Sequence, residues 1–146
     1  MSDPFDLERF VAAQDAAGTY ERALGEIRRG RKSSHWMWFV FPQVAGLGRS
    51  AMSRRYAIGG LDEARAYLDH PVLGQRLVEC ATALATSSGR SAVDIFGGID
   101  AQKLRSSMTL FSRAAPNEPV FARVLGVYFD GEADLETERL LTDDGR

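Results

Sequence analysis

The sequence predicts an all-α fold, a single compact domain of roughly seven to nine helices, several of them short. Apolar residues recur at helical spacing along most of the 146-residue chain, whereas Val, Ile and Thr never alternate with polar residues long enough to indicate a sheet. Glycine, proline and serine interrupt this pattern at short intervals and divide it into many segments. With 45% hydrophobic and 26% charged residues and no linker or repeat, one hydrophobic core is expected over residues 1–146.

In the first half of the chain, capping and breaking residues bound the predicted helices. Asp3 is a favoured N-cap that precedes a proline at the first helical position, and Thr19 can cap a second helix. Gly30 ends that second helix, and a short basic helix is predicted over 50–56. A further helix ends just before Pro71, because a residue that precedes proline disfavours the helical region.

The second half is predicted to contain the longest helix, which starts at Pro71. A short helix follows over 91–96. Asp100 is expected to cap the next helix, which carries the serine-rich segment LRSSMTLF. Pro119 and Asp134 mark the starts of two further helices, and the last of these lies in an acidic C-terminal tail whose end we expect to fray.

Charge is unevenly distributed along the chain. From Asp130 to Arg146 there are seven acids and two arginines, a net charge of −5. Between Glu26 and Asp62 there is no acid, and seven cations give a local charge of +7 in a protein of net charge −2. These charges either complement one another within the fold or attract an anionic ligand to the basic segment. The seven cations are Arg28, Arg29, Arg31, Lys32, Arg49, Arg54 and Arg55.

The basic segment surrounds an aromatic run that is the strongest candidate for a ligand site. The segment 30–48 reads GRKSSHWMWFVFPQVAGLG and holds both tryptophans, and the part from Met37 to Phe41 is ambiguous between helix and strand. Ser33 or Ser34 can cap a short helix whose backbone N–H groups would face an anion. The predicted ligand-binding residues are Lys32, which would bind phosphate, and Trp36 and Trp38, which would stack against a ring. Ser34, Gln43 and Ser106 complete the predicted site. An aromatic run of this kind is, however, more often core than pocket.

Three residues are candidates for proton transfer or nucleophilic chemistry, namely His35, Ser107 and Asp100. Histidine alone titrates near neutral pH, and Ser107 falls on an apolar helical face where its hydroxyl needs a partner. Each also has a structural explanation: a hydrogen-bonded histidine, an N-cap for Asp100, and a bond from Ser107 to the carbonyl four residues earlier. No GxSxG or SxxK pattern is present, so whether the protein is an enzyme stays open.

Composition disfavours several classes of protein. One cysteine excludes an internal disulfide, and two histidines 35 positions apart predict no metal site. No apolar stretch is long enough for a membrane span, and no signal peptide precedes the first helix, so a cytoplasmic location is expected. The pI near 5.7 and the lack of a recognisable module disfavour nucleic acid as a partner. No cofactor is indicated, and oligomeric state is left open.

Several segments together resemble a known family. DPFDLERFVAAQ, RKSSHWMWFVFPQ, EARAYLDHPVLGQRL, DIFGGIDAQKLRSSMTLF and YFDGEADLETERLL are similar to the uncharacterised bacterial and fungal family called domain of unknown function 1810. The resemblance covers nearly the whole chain and implies a small, mostly α-helical, single-domain fold without an established activity. The calpastatin label that some members carry finds no support in this composition. The helical order and Trp-rich centre are also similar, in architecture alone, to ADP-ribose-linked N-glycosidases of the NADAR type.

Two functions follow as hypotheses. The first is a small helical enzyme or sensor for a phosphorylated, nucleotide-like molecule, which expects a pocket where His35 converges with Ser106 and Ser107. The second is a non-catalytic interaction module, which expects an exposed apolar patch, no pocket, and a buried or structural His35.

Overall fold

The computed structural model describes residues 3–87 and 89–143, and throughout this part of the chain the regular elements are helices. Their bounds are α1 (Glu8–Asp15), α2 (Thr19–Arg29), α3 (Met37–Val40), α4 (Ala51–Arg55), α5 (Leu61–Asp69), α6 (Leu73–Thr86), α7 (Ala92–Phe96), α8 (Gly98–Ala114), α9 (Pro119–Phe129) and α10 (Leu135–Asp143). A single 3-10 turn, Ala16–Gly18, joins α1 to α2. The all-α prediction is confirmed.

Helix α8 lies at the centre of this arrangement. It packs against α3, α5, α7, α9 and α10, and every residue from Ser106 to Phe111 is buried. A helix that is covered on all sides in this way needs small or apolar residues around its whole circumference, which SSMTLF supplies. The predicted longest helix is therefore misplaced: α8 has 17 residues, whereas α6 has 14.

The segment after α2 enters the core through its aromatic residues. Met37 to Val40 form one short helical turn, so the ambiguous segment is helical. Trp36 is fully buried between the rings of Phe41 and Phe96, with both ring centroids 6.2 Å away. Neither Ser33 nor Ser34 caps this turn, because Trp36 occupies the N-cap position without a side-chain capping bond.

Local capping signals were predicted with mixed success. Pro119 starts α9, and the Asp134 carboxylate accepts a hydrogen bond from the Thr137 backbone N–H at 3.0 Å, as expected of a cap. Asp100 is not an N-cap: Gly97 holds that position with φ 81° and ψ 165°, so α8 begins three residues earlier than predicted. Asp3 accepts from the backbone N–H of Leu7 at 2.8 Å, although α1 itself begins only at Glu8.

The acidic tail folds back onto the domain. Helix α10 packs against α8, and the side chain of Leu141 is buried. Residues 144–146, where the predicted fraying of the tail would occur, lie outside the described residues.

Candidate functional site

Glu26 organises the turn that follows α2. Its carboxylate lies beneath the segment and accepts hydrogen bonds from the backbone N–H of Ser33 at 2.8 Å and of Ser34 at 3.1 Å. It also accepts from Ser34 Oγ at 2.5 Å and from Trp36 Nε1 at 2.8 Å. Burial alone would raise the pKa of this carboxyl, but the hydrogen bonds from the serines and the tryptophan outweigh it and hold the pKa at about 2.

Lys32 connects this turn to the start of α8. Its ammonium lies 2.9 Å from Asp100 Oδ2 and donates to the Ser34 carbonyl at 2.6 Å. The same ammonium lies 5.2 Å from the centre of the Trp36 ring, and only 8% of the Lys32 side chain is exposed. Lys32 is thus occupied in holding two segments together.

Asp100 shares its carboxylate between two lysines. While Oδ2 pairs with Lys32, Oδ1 lies 3.4 Å from the ammonium of Lys103, one helical turn further along α8. The Lys103 ammonium in turn lies 5.0 Å from the centre of the Trp38 ring. Asp100 and Trp38 therefore position Lys103 at the surface of α8.

Lys103 borders a cavity of about 610 Å³ between α8 and the loop that precedes α4. That volume falls within the range of small-molecule sites. Two predicted ligand-binding residues, Gln43 and Ser106, line it. The remaining lining residues are Leu47, Gly48, Ser53, Gly98, Ile99, Gln102, Asp134 and Glu136.

The carboxylates of this cavity are already engaged. Asp134 accepts from Gln102 Nε2 at 2.7 Å and from Thr137 Oγ1 at 2.6 Å. Glu136 pairs with Arg139, three residues along α10. The Gln43 amide makes no side-chain hydrogen bond within the described residues, and the Lys103 ammonium, whose contact with Asp100 is 3.4 Å long, can also contact a ligand.

The predicted catalytic residues are not brought together. His35 is exposed, does not border this cavity, and makes no hydrogen bond or ion pair within residues 3–87 and 89–143. Ser107 is fully buried, and its hydroxyl has no partner in that part of the chain. The expected bond from Ser107 to the carbonyl four residues earlier is absent there, whereas Ser106 makes the corresponding bond to Gln102 at 3.1 Å.

The predicted stacking residues differ in their surroundings. Trp36 has no exposed ring face, and its N–H is used by Glu26, so it is a core residue. Trp38 is half-buried behind Lys103, and its indole N–H is buried without a partner in the described chain. The Ser34 hydroxyl donates to Glu26, and the Ser34 carbonyl accepts from Lys32, so both groups already have partners.

Lys103, Gln102 and Ile99 were missed by the sequence reasoning, although a signal was present. Together with Ser106 they occupy positions i, i+3, i+4 and i+7 of one helix, which defines a single face. From Ser106, that spacing points to Gln102 and Lys103, which lie inside the predicted helix. Ile99 and Gly98 could not be found in this way, because both precede Asp100, the predicted start of the helix.

Three other kinds of site were considered within the described residues: a second groove, a metal site and a membrane-spanning helix. A groove of about 530 Å³ between α2 and α6 contains none of the predicted residues, and its Arg28 lies 3.8 Å from Glu79. No group of three or more potential metal-ligating side chains occurs among these residues. None of the helices in this part of the chain is both long and apolar enough to cross a membrane.

Comparison with known proteins agrees with the resemblance seen in the sequence. Residues 4–141 match the family described as "Protein of unknown function (DUF1810)". The chain is also similar to the solved structure of the conserved hypothetical protein Rv1873 from Mycobacterium tuberculosis, with 51% sequence identity and a TM-score of 0.92. This similarity covers 96% of the present chain and 99% of that chain. No curated protein matches. The chain belongs to the DUF1810 family.

Proposed function

We propose that this protein binds a phosphorylated, nucleotide-like small molecule in the cavity between α8 and the loop before α4. The observation that carries the proposal is the convergence of Gln43, Ser106 and Lys103 on one cavity of about 610 Å³. The sequence predicts the first two residues to bind a ligand, and the third supplies a cation that Asp100 and Trp38 hold in position.

The anionic part of the ligand is assigned to the start of α8. Gly98 and Ile99 border the cavity, and their backbone N–H groups donate to no other group in the described residues. Unpaired N–H groups at the start of a 17-residue helix attract an anion, and Lys103 lies one turn along the same face. A methyl group at Gly98 would meet nothing within 4 Å, so a ligand has room to approach this backbone.

The apolar part of the ligand is assigned to Leu47 and Ile99, which border the same cavity from the loop and from the helix. Ile99 is 78% exposed, which is a cost for a large apolar side chain unless something covers it. A nucleotide combines phosphate with a planar ring whose faces are apolar, which corresponds to both halves of this lining.

The alternative is a non-catalytic interaction module. The exposure of Ile99 at 78% and of Leu135 at 80% favours it, because these two side chains could pack against a partner. This hypothesis also predicts a buried or structural His35 and no pocket. The structure instead has an exposed His35 and a cavity next to α8. We therefore rank small-molecule binding first and assign no reaction, since His35, Ser107 and Asp100 do not converge.

A thermal-shift screen against nucleotides, ADP-ribose, NAD and simple phosphates tests the proposal. A ligand that binds only the native state raises its stability by about 2.7 kcal/mol at a hundredfold excess over Kd. We expect a shift that Lys103→Gln abolishes and His35→Gln leaves unchanged, because only Lys103 borders the cavity. Absence of a shift with every compound, or a shift that survives Lys103→Gln in full, would contradict the proposal.

A further inference from the structure

A second, smaller cavity, here called the annex, adjoins the cavity between α8 and the loop before α4, which is called the main cavity below. This annex has a volume of about 130 Å³ and shares Gln43, Gly48 and Ser53 with the main cavity. At about 30 Å³ for each water molecule of the liquid, it has room for several waters or for one compact polar group. Arg54 borders the annex but not the main cavity.

Several groups around the annex can donate hydrogen bonds. The backbone N–H groups of Gly46 and Gly48 and the side-chain amide of Gln43 have no partner in the described part of the chain. Ser53 Oγ accepts from Ser50 Oγ at 2.9 Å, which leaves the hydroxyl proton of Ser53 to donate. Unpaired N–H groups beside a cation favour an anion.

The one charged residue among those that line the annex is a cation, Arg54. Arg54 forms no ion pair within residues 3–87 and 89–143, and no carboxylate lines the annex. The guanidinium offers a planar set of donors that matches an oxyanion in two-point geometry. The main cavity differs in that two carboxylates line it: Asp134 accepts a hydrogen bond from Gln102, and Glu136 pairs with Arg139.

We propose that the annex is a second subsite, which binds a compact oxyanion through Arg54, Gln43 and the 46–48 backbone. This inference rests on the proposed function, because it concerns the same ligand: the molecule would carry two anionic groups, one near Lys103 and one near Arg54. Gln43, which faces both spaces, would contact the part of the molecule that joins them.

Isothermal titration with two nucleotides tests this inference on the full chain. Adenosine 5′-monophosphate has one phosphate, and adenosine 3′,5′-bisphosphate has a second one at a distance from the first. We expect the wild-type protein to bind the bisphosphate about tenfold more tightly than the monophosphate, as one additional charge-assisted contact allows. Arg54→Gln should remove this preference and leave monophosphate affinity unchanged.

Arg55→Gln is the matched control. It removes the same charge from the adjacent exposed residue, which borders neither cavity, so the preference for the bisphosphate should persist. Circular dichroism checks that each variant is folded. Equal wild-type affinities for the two nucleotides, or a preference that survives Arg54→Gln, would overturn the annex subsite while monophosphate binding still supported the proposed function.

Inorganic phosphate separates the two proposals if neither nucleotide binds, an outcome that would count against the proposed function. Phosphate binding that is lost in Arg54→Gln and kept in both Lys103→Gln and Arg55→Gln would then support the annex on its own. Phosphate binding that none of these variants affects, or no phosphate binding at all, would overturn it.

Discussion

The ammonium of Lys32 lies 2.9 Å from Asp100 Oδ2, and this contact joins the turn after α2 to the first turn of α8. Because 8% of the lysine side chain and 21% of the aspartate side chain are exposed, water screens the pair little. Lys103 contacts the other oxygen of the same carboxylate and borders the cavity. The pair therefore connects the stability of the fold with the position of the cation that we assign to ligand binding.

Replacing Lys32 should destabilise the protein more than replacing Lys103. Lys32→Met leaves the Ser34 carbonyl and one carboxylate oxygen without their charged donor, which costs about 2 to 3 kcal/mol. Lys103→Met removes a longer and more exposed contact with Asp100, worth less than about 1 kcal/mol. Urea unfolding at neutral pH measures both changes. Equal decreases in the free energy of unfolding for the two variants would show that the Lys32–Asp100 ion pair does not stabilise the fold.

Glu26 should make the protein sensitive to acid. Its folded-state pKa of about 2 lies below the value of 4.5 expected without these contacts, so the carboxylate stabilises the fold fully above pH 4.5. That contribution, about 3 kcal/mol, is lost as the pH falls from 4.5 toward 2. Urea unfolding of the wild type and of Glu26→Gln, measured between pH 7 and pH 3, should show a difference that narrows in acid.

Glu21→Gln is the control for this pH dependence. Glu21 is exposed on the same helix and forms no ion pair within the described residues, so the change should stay within about 0.5 kcal/mol at every pH. A constant difference between wild type and Glu26→Gln across the range would contradict the assigned pKa.

Two glycines should respond to alanine in opposite directions. A Cβ atom on Gly74 in α6 would lie 2.0 Å from the backbone oxygen of Leu68 in α5, so Gly74→Ala must push the two helices apart at a cost of about 3 kcal/mol. A Cβ atom on Gly126 in α9 meets nothing within 4 Å, and Gly126→Ala should gain about 0.5 to 1 kcal/mol from helix propensity. Thermal unfolding of both variants checks the pair, and a tolerated Gly74→Ala would contradict the close packing of α5 on α6.

The Ser107 hydroxyl should contribute nothing to stability. It is buried without a partner in the described chain, so Ser107→Ala should be neutral or gain about 1 kcal/mol. Thr109→Ala on the same helix is the contrast: Thr109 Oγ1 donates to the Arg105 carbonyl and accepts from the Asp134 N–H, so its loss costs about 2 kcal/mol. Chemical denaturation compares them. A loss from Ser107→Ala as large as that from Thr109→Ala would mean that a bound water or another group satisfies the hydroxyl.

The predictions that succeeded depended on local contacts. Asp134 caps α10 through a residue three positions away, and Pro119 acts through its own ring, so both could be inferred from neighbouring residues alone. The prediction that Asp100 caps α8 is wrong because Gly97, with a positive φ of 81°, takes the N-cap position and the helix begins earlier. That shift places Asp100 inside α8, where it pairs with Lys32 from a distant segment.

The candidate site was predicted only in part for the same reason. Gln43 and Ser106 lie far apart in the sequence, and the fold brings them to one cavity. Glu26 was overlooked because its partners reach it only after the chain turns back at Gly30, whose φ is 78°. The chemistry of histidine makes His35 a catalytic candidate, yet the turn held by Glu26 leaves its side chain exposed.

A crystal structure of the protein with the compound that gives the largest thermal shift is the most direct test of ligand binding. We expect a ring between Leu47 and Ile99, with an anionic group within hydrogen-bond distance of Lys103 and the Gly98 N–H. A ligand ordered in the groove between α2 and α6, or on the surface near His35, would contradict the assignment of this cavity as the binding site.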